Sequence, residues 1–327
     1  MLKKVVLPFL GVYSLTSYYF LKNPTLLHSK HNFSHDLFNN LTANPGKKVL
    51  CISHRGGSYE KVENTIEAFQ NSIENGVNLL EMDLQLTKDG KVVVCHDENL
   101  RRLCGVDVKV SELNYEDLPN FSEKINLDHF NNTILETSAL QVGKIPTLEE
   151  VFQKFPNTLM QLDLKGGSEE ITRKTNDLIK LYKRENLTFW GAMGDDQYLR
   201  RYNEDLPRFF SPFAVIKVYG LYVTGLLPFF SLTSSVFSIP KYSQHYEKWK
   251  ESKKAPAVGV YFTIFKGLES ISKPLIRHLQ DRGILVFHWV LNEEEDFKES
   301  LKFDVDGIMT DKPTLLHNFL QKQNKKV

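Results

Sequence analysis

Cysteine is scarce in this 327-residue chain: Cys51, Cys95 and Cys104 are an odd set without metal-ligand spacing, so neither a disulfide framework nor a thiolate site organises it. An excess of one charge is missing too. Lys and Arg number 41 against 40 Asp and Glu, a net charge of +1, so no general basic surface points to nucleic acid and an anionic ligand must be caught locally. A glycine-rich phosphate loop is also absent, which weighs against an open doubly wound sheet, the runner-up architecture. No internal repeat or low-complexity tract occurs. What is present, 41% hydrophobic residues, is ample for a sizeable core.

Long uncharged runs are few, and the first is Val5 to Leu21, flanked by Lys3, Lys4 and Lys22. At about 17 residues, with no small-residue cleavage site after it, it predicts a retained N-terminal membrane anchor rather than a signal peptide. A core helix is the alternative. Residues 1–46 then form an anchor and linker, and the protein is expected on the endoplasmic reticulum or another intracellular membrane. Basic residues on both flanks leave its sidedness open.

From Lys47 onward, short apolar runs alternate with amphipathic stretches. Strands are expected at Val49–Ser53, Leu79–Leu86, Lys91–Cys95, Leu159–Leu164, Thr188–Gly191, near Phe209, and at Ala257–Phe262, Ile284–Val290 and Gly307–Thr310. Helices fall between them, among them Val62–Asn75, Leu148–Phe155, Glu169–Glu185, Leu268–Asp281 and Pro313–Gln321. This rhythm predicts an α/β fold, a TIM (β/α)₈ barrel over residues 47–327. Two stretches break it. Residues 97–144 read as a loop-rich insertion after the third strand, over the C-terminal face. The uncharged span 218–240 reads as a membrane-associating segment that dips into the lipid interface, or else as a buried barrel helix with a loop.

Glu81 and Asp83 are two apart in a strand, so both project from one face while Leu80, Met82 and Leu84 face the other layer. Carboxylates in an apolar strand need a cation or a dedicated partner. Hard oxygen donors without thiolates favour Mg²⁺ or Ca²⁺ over zinc. Asp163 and Lys165 repeat the spacing on a later strand, offering a third carboxylate and a cation; a plain salt-bridge cluster is the competing reading. His54 and His96 each end a strand, where a barrel builds its active-site loops, and suit acid and base work near neutral pH. Arg55 is a fork fit either for a phosphate oxygen or for one of these acids. Glu63-Asn64-Thr65 opens a helix, where Asn64 or Thr65 caps and Glu63 meets the positive end of the dipole, or else Glu63 and Asn64 support the metal site. Trp289, near Asn292 at another strand end, walls a pocket or fills the core.

Taken in order, His54-Arg55-Gly56, Glu63-Asn64-Thr65, Glu81-x-Asp83, Thr87-x-Asp89-Gly90, His96-Asp97, Arg101, Ile145-Pro146-Thr147-Leu148-Glu149-Glu150, Asp163-x-Lys165, Trp289-Val290-x-Asn292 and Thr310-Asp311-x-Pro313 resemble the glycerophosphodiester phosphodiesterase family from about residue 49 onward. The N-terminal apolar segment, Trp190-Gly191, Thr224-Gly225-Leu226-Leu227-Pro228 and the Trp289 segment are similar to its membrane-bound animal branch, which acts as lysophospholipase D. The resemblance implies a divalent cation held by Glu81, Asp83 and Asp163, an acid–base pair of His54 and His96, and Arg55 and Lys165 on the phosphate. His96 stays open to a second role as metal ligand. Where soluble members usually carry Glu, this chain has Asp163. Lysophospholipids such as lysophosphatidylcholine or lysophosphatidylethanolamine are the implied substrates, cleaved to lysophosphatidic acid and a head-group alcohol. Water-soluble glycerophosphodiesters are the alternative substrate, and a catalytically silent lipid-binding membrane protein the alternative class.

Overall fold

Short apolar strands that bury both faces form the frame: β1 (Leu50–Ser53), β2 (Leu79–Leu86) and β3 (Val92–Val94) come first. A small hairpin, β4 (Lys124–Asn126) and β5 (Ile134–Glu136), follows in the insertion. The frame resumes with β6 (Leu159–Leu164), β7 (Thr188–Gly191), β8 (Val236–Pro240), β9 (Leu285–Trp289) and β10 (Gly307–Thr310). The computed structural model describes residues 2–30, 49–127, 133–138, 143–194, 197–243 and 256–324.

In the sheet the order is β7-β6-β2-β1-β10-β9-β8, parallel throughout, with β3 antiparallel on the end of β2. Arg208 bridges to Trp190 and Phe209 to Val236, both in parallel, so a two-residue piece spans the gap between β7 and β8 and the sheet curls into a TIM-barrel-like ring. Alternation sorts the side chains. Leu50, Ile52, Leu79, Leu159, Phe189 and Phe287 pack inside the ring with Phe209 and Val236, while Leu80, Met82, Leu84, Met160 and Leu162 turn outward to the helices. Glu81, Asp83 and Asp163 share the inward parity with Leu79 and Leu159, further towards the C-terminal strand ends.

Two expectations fail here. Ala257–Phe262, expected as a strand, lies in the long helix Pro256–Asp281, and the barrel strand before β9 is Val236–Pro240. Both segments are rich in aromatic and β-branched residues, and short apolar runs do not declare their period. The span 218–240 holds the end of the helix Pro212–Val223, the turn Leu227–Phe229 and β8. Val218, Tyr219, Leu227 and Phe237 are core, whereas Phe213, Ile216, Val223 and Phe230 stay exposed. Lastly, residues near Lys91–Cys95 form a strand, but it runs antiparallel and outside the ring.

The N-terminal helix, Leu2–Lys22, does not supply the expected spanning anchor. Among the described residues no helix is long and apolar enough to cross a membrane. Three lysines and the Tyr, Ser and Thr residues between Tyr13 and Tyr19 dilute its apolar run. It docks instead on the barrel. Tyr13 donates to the carbonyl of Thr224 at 2.5 Å, Ser17 to that of Gly225 at 2.6 Å, and Phe20 meets Phe229 edge to face. Gly225 is needed there, because its φ of +73° and the Ser17 Oγ 2.7 Å from an added Cβ leave no space for a side chain.

Within residues 97–144 the described parts form the turn Arg101–Cys104, two short 3₁₀ turns and the β4–β5 hairpin around Cys95, Leu100, Leu103, Val110 and Ile125. Residues 31–48, much of the expected linker, lie outside the described residues.

Candidate active site

The acids come together because β2 and β6 pair in register, with Asp83 beside Asp163 and Glu81 beside Gln161. One carboxylate oxygen from each of Glu81, Asp83 and Asp163 lies within 4.8 Å of the others, and all three residues are buried. His96 is not part of that group. Each acid is held from behind. The backbone N–H of Arg55 donates to Glu81 Oε2 at 2.9 Å, and Asn64 Nδ2 donates to Asp83 Oδ2 at 2.9 Å. Both donors sit at positive φ, 54° for Arg55 and 58° for Asn64, a conformation that costs such residues about 1–2 kcal/mol. Thr65, not Asn64, caps the following helix by accepting from the Ala68 N–H at 3.1 Å, which leaves the Asn64 amide for Asp83.

Cations enter from two sides. Lys165 reaches Asp83 at 2.8 Å and Asp163 at 2.5 Å, and the Arg55 guanidinium lies between Glu63 at 3.1 Å and Asp83 at 3.3 Å. Burial and the Asp83 charge push the Glu81 carboxyl above its ordinary value. Burial also opposes ionisation of Asp83, but Lys165 together with the neighbouring His and Arg groups overrides it and holds Asp83 well below. Asp163 Oδ1 is buried with no hydrogen-bond partner. Three clustered carboxylates, one reluctant to ionise and one with an orphaned oxygen, form a donor set suited to a hard divalent cation.

The two imidazoles flank this floor. His54 Nδ1 lies 2.6 Å from Asp311 Oδ1, a carboxylate with no exposed surface, delivered from the end of β10. Burial disfavours a charge on His54, yet Asp311 more than offsets it and the imidazole is held above its usual value. Gly57 allows this approach, since at φ +91° an added Cβ would stand 2.6 Å from Pro313. His96 Nδ1 lies 2.7 Å from Asp97 Oδ1. Asp97 in turn accepts from Arg102 Nε at 2.7 Å, and Arg102 also grips Glu63 at 2.7 and 2.8 Å. Burial works against ionised Glu63, but Arg102 and Arg55 keep its carboxyl below the usual value.

The ten residues given site roles from the sequence, His54, Arg55, Glu63, Asn64, Glu81, Asp83, His96, Asp163, Lys165 and Trp289, lie in or directly behind one cleft. Sequence reasoning missed Arg102 and Ser58 and gave Asp311 no role. The arginine it marked, Arg101, pairs with Asp107 at the surface, while its neighbour Arg102 turns inward; nothing in the chain distinguishes the two. The cleft has a volume of about 240 Å³, and beside its charged groups it is lined by the apolar Met193, Phe209, Phe210, Pro212, Val215 and Trp289.

Comparison with known proteins agrees with this geometry. The chain is 38% identical over 315 residues to human "Lysophospholipase D GDPD1", covering 95% of each chain, and 36% identical over 329 residues to mouse "Lysophospholipase D GDPD3", covering 98% of this chain and 93% of that one. Among solved structures, the glycerophosphoryl diester phosphodiesterase domain of a Mycobacterium tuberculosis protein superposes with a TM-score of 0.63 at 13% identity, over 84% of this chain and 99% of that one, a likeness of fold. The sequence pattern of one family runs through residues 54–315, from the first histidine of the cleft to just past Asp311, and by that match the chain belongs to the glycerophosphoryl diester phosphodiesterase family.

Proposed function

We propose that this chain is a metal-dependent lysophospholipase D, hydrolysing lysoglycerophospholipids to lysophosphatidic acid and the head-group alcohol. The observation that carries the choice of substrate is the division of the cleft into a charged floor and an apolar wall. A phosphodiester belongs on the floor and a glycerol-linked acyl chain along the wall. The relatives named lysophospholipase D support the same reading.

Glu81, Asp83 and Asp163 would hold Mg²⁺ or Ca²⁺, with Asn64 and Glu63 fixing the groups behind them. The bound cation would supply positive charge against the charge that builds on the phosphoryl oxygens. Arg55 and Lys165, already at the floor, would turn part of their pairing from the acids to the phosphate, and Trp289 would wall the glycerol side. Of His54 and His96, one takes a proton from the attacking oxygen and the other returns one to the leaving alcohol. A cavity of about 240 Å³ holds the glycerophosphate end but not a whole lipid, so the acyl chain must continue outward. Met193, 58% exposed, lines the cleft, and Phe213, 77% exposed, follows the lining residue Pro212 in the chain. Peripheral contact of this edge with a membrane, without a spanning helix, would let the lipid enter tail outward.

The same small volume favours a second reading, hydrolysis of water-soluble glycerophosphodiesters. Side-by-side assays on lysophosphatidylcholine micelles and on glycerophosphocholine, each with Mg²⁺ and with Ca²⁺, separate them. Faster choline release from the lipid is expected. Rapid hydrolysis of glycerophosphocholine with none of the lipid overturns the substrate assignment and leaves the second reading.

A further inference from the structure

We infer that Asp311, locked by Asn292, is a positioning residue that sets the tautomer of His54 and so fits its other ring nitrogen for proton transfer. The inference rests on the proposed acid–base role of His54. An ionised carboxylate can only accept a hydrogen bond, so Asp311 Oδ1, 2.6 Å away, requires the proton of a neutral His54 on Nδ1. In that tautomer Nε2 is the nitrogen that carries the lone pair.

The orientation of Asp311 is itself fixed. The Asn292 side-chain oxygen accepts from the backbone N–H of Asp311 at 2.8 Å and from the hydroxyl of Thr310 at 3.0 Å, so it cannot turn over without losing both donors. Its amide nitrogen therefore points to Asp311 Oδ2, 2.9 Å away, and Ser58 donates to Oδ1 at 2.6 Å. Every one of these groups is buried. An asparagine in place of Asp311 would meet this fixed array with its oxygen towards the Asn292 amide, because the reverse sets two N–H groups against each other. Its own NH₂ would then face His54 Nδ1. Nδ1 must accept, the proton moves to Nε2, and the ring no longer has the tautomer in which Asp311 supports proton transfer at Nε2.

The array also defines a compensating change. With Asp at 292 and Asn at 311, the new carboxylate accepts from Thr310, from the backbone N–H of residue 311 and from the new amide, whose oxygen turns to His54. The Nδ1–H tautomer returns.

The test uses the full chain, isotopically labelled at histidine, with nitrogen NMR of the His54 ring and steady-state kinetics on lysophosphatidylcholine. Asp311→Asn is expected to convert His54 to the Nε2–H form and lower kcat by about 10²–10⁴-fold with KM changed less than about 3-fold. Asn292→Asp combined with Asp311→Asn is expected to restore the Nδ1–H signature and to recover kcat by at least about 10-fold. His54→Ala separates the two levels of argument. Near-normal turnover of His54→Ala removes the acid–base role itself; loss of activity in His54→Ala with an unchanged tautomer or near-normal kcat in Asp311→Asn overturns the role given to Asp311. Should the single variant fold poorly, recovery of tautomer and kcat in the double variant still decides, and its absence counts against the inference.

Discussion

Two imidazoles serve one cleft but are held by different parts of the molecule. His54 belongs to the barrel: its side chain is 9% exposed and its partner Asp311 is fully enclosed at the end of β10. His96 stands where the insertion begins and is held by it: its side chain is 26% exposed, its partner Asp97 is 19% exposed, and Arg102 ties Asp97 to Glu63. A hydrogen bond shut away from water has no substitute when it is broken, whereas an exposed one is replaced by solvent at small cost. The barrel side is thus expected to be rigid and unforgiving, and the insertion side adjustable. A leaving alcohol that varies between head groups is best met by the adjustable side.

The largest effects should come from the groups both sides share. His54→Ala and Glu81→Ala are each expected to lower turnover by at least about 10²-fold, measured as choline release by the purified chain; near-normal rates in both would end the assignment of the site. Next in size is the contrast between the two supporting acids. Asp97→Asn should lower kcat by less than about 10-fold, well short of the loss expected for Asp311→Asn, because water can reach the His96 side. Equal losses would erase the distinction between a rigid and an adjustable half.

Between the two halves lies the acidic floor, which predicts a smaller effect on stability. The Glu81 carboxyl is raised in the folded chain above its ordinary value of 4.5, so it favours the fold below that value and the contribution is lost as pH rises through the raised value. Without divalent cation, thermal stability should therefore fall over that interval; Mg²⁺ or Ca²⁺, or Glu81→Gln, should flatten the fall. A pH profile unaffected by cation would argue against a metal on this floor. The smallest effect concerns neither histidine. Phe213→Asp is expected to slow hydrolysis of vesicle-borne lysophosphatidylcholine several-fold, on the order of the loss of one buried aromatic contact with lipid, while sparing glycerophosphocholine. A matching loss on both substrates would place Phe213 in the fold rather than at the lipid edge.

Much of the metal floor was legible in the chain because strand parity is local: Glu81 and Asp83, or Asp163 and Lys165, announce a shared face by their spacing alone. The support behind the histidines was not. His54 and Asp311 are 257 residues apart, and only closure of the ring by β1 and β10 makes them neighbours. Arg102 shows the same limit at short range, since a turn of four residues decides which of two adjacent arginines faces inward. The exchange of strand for helix at Ala257–Phe262 has another cause: β8 and that segment carry similar apolar content, and a barrel strand buried on both faces shows no alternation to set it apart.

The central claim is that groups on this floor break the phosphodiester on its head-group side. Turnover of lysophosphatidylcholine in ¹⁸O-enriched water, with divalent cation present and the products resolved by mass spectrometry, tests it most directly. The label is expected in the phosphate of lysophosphatidic acid, with unlabelled choline. Label in choline, or in a released fatty acid, would contradict it.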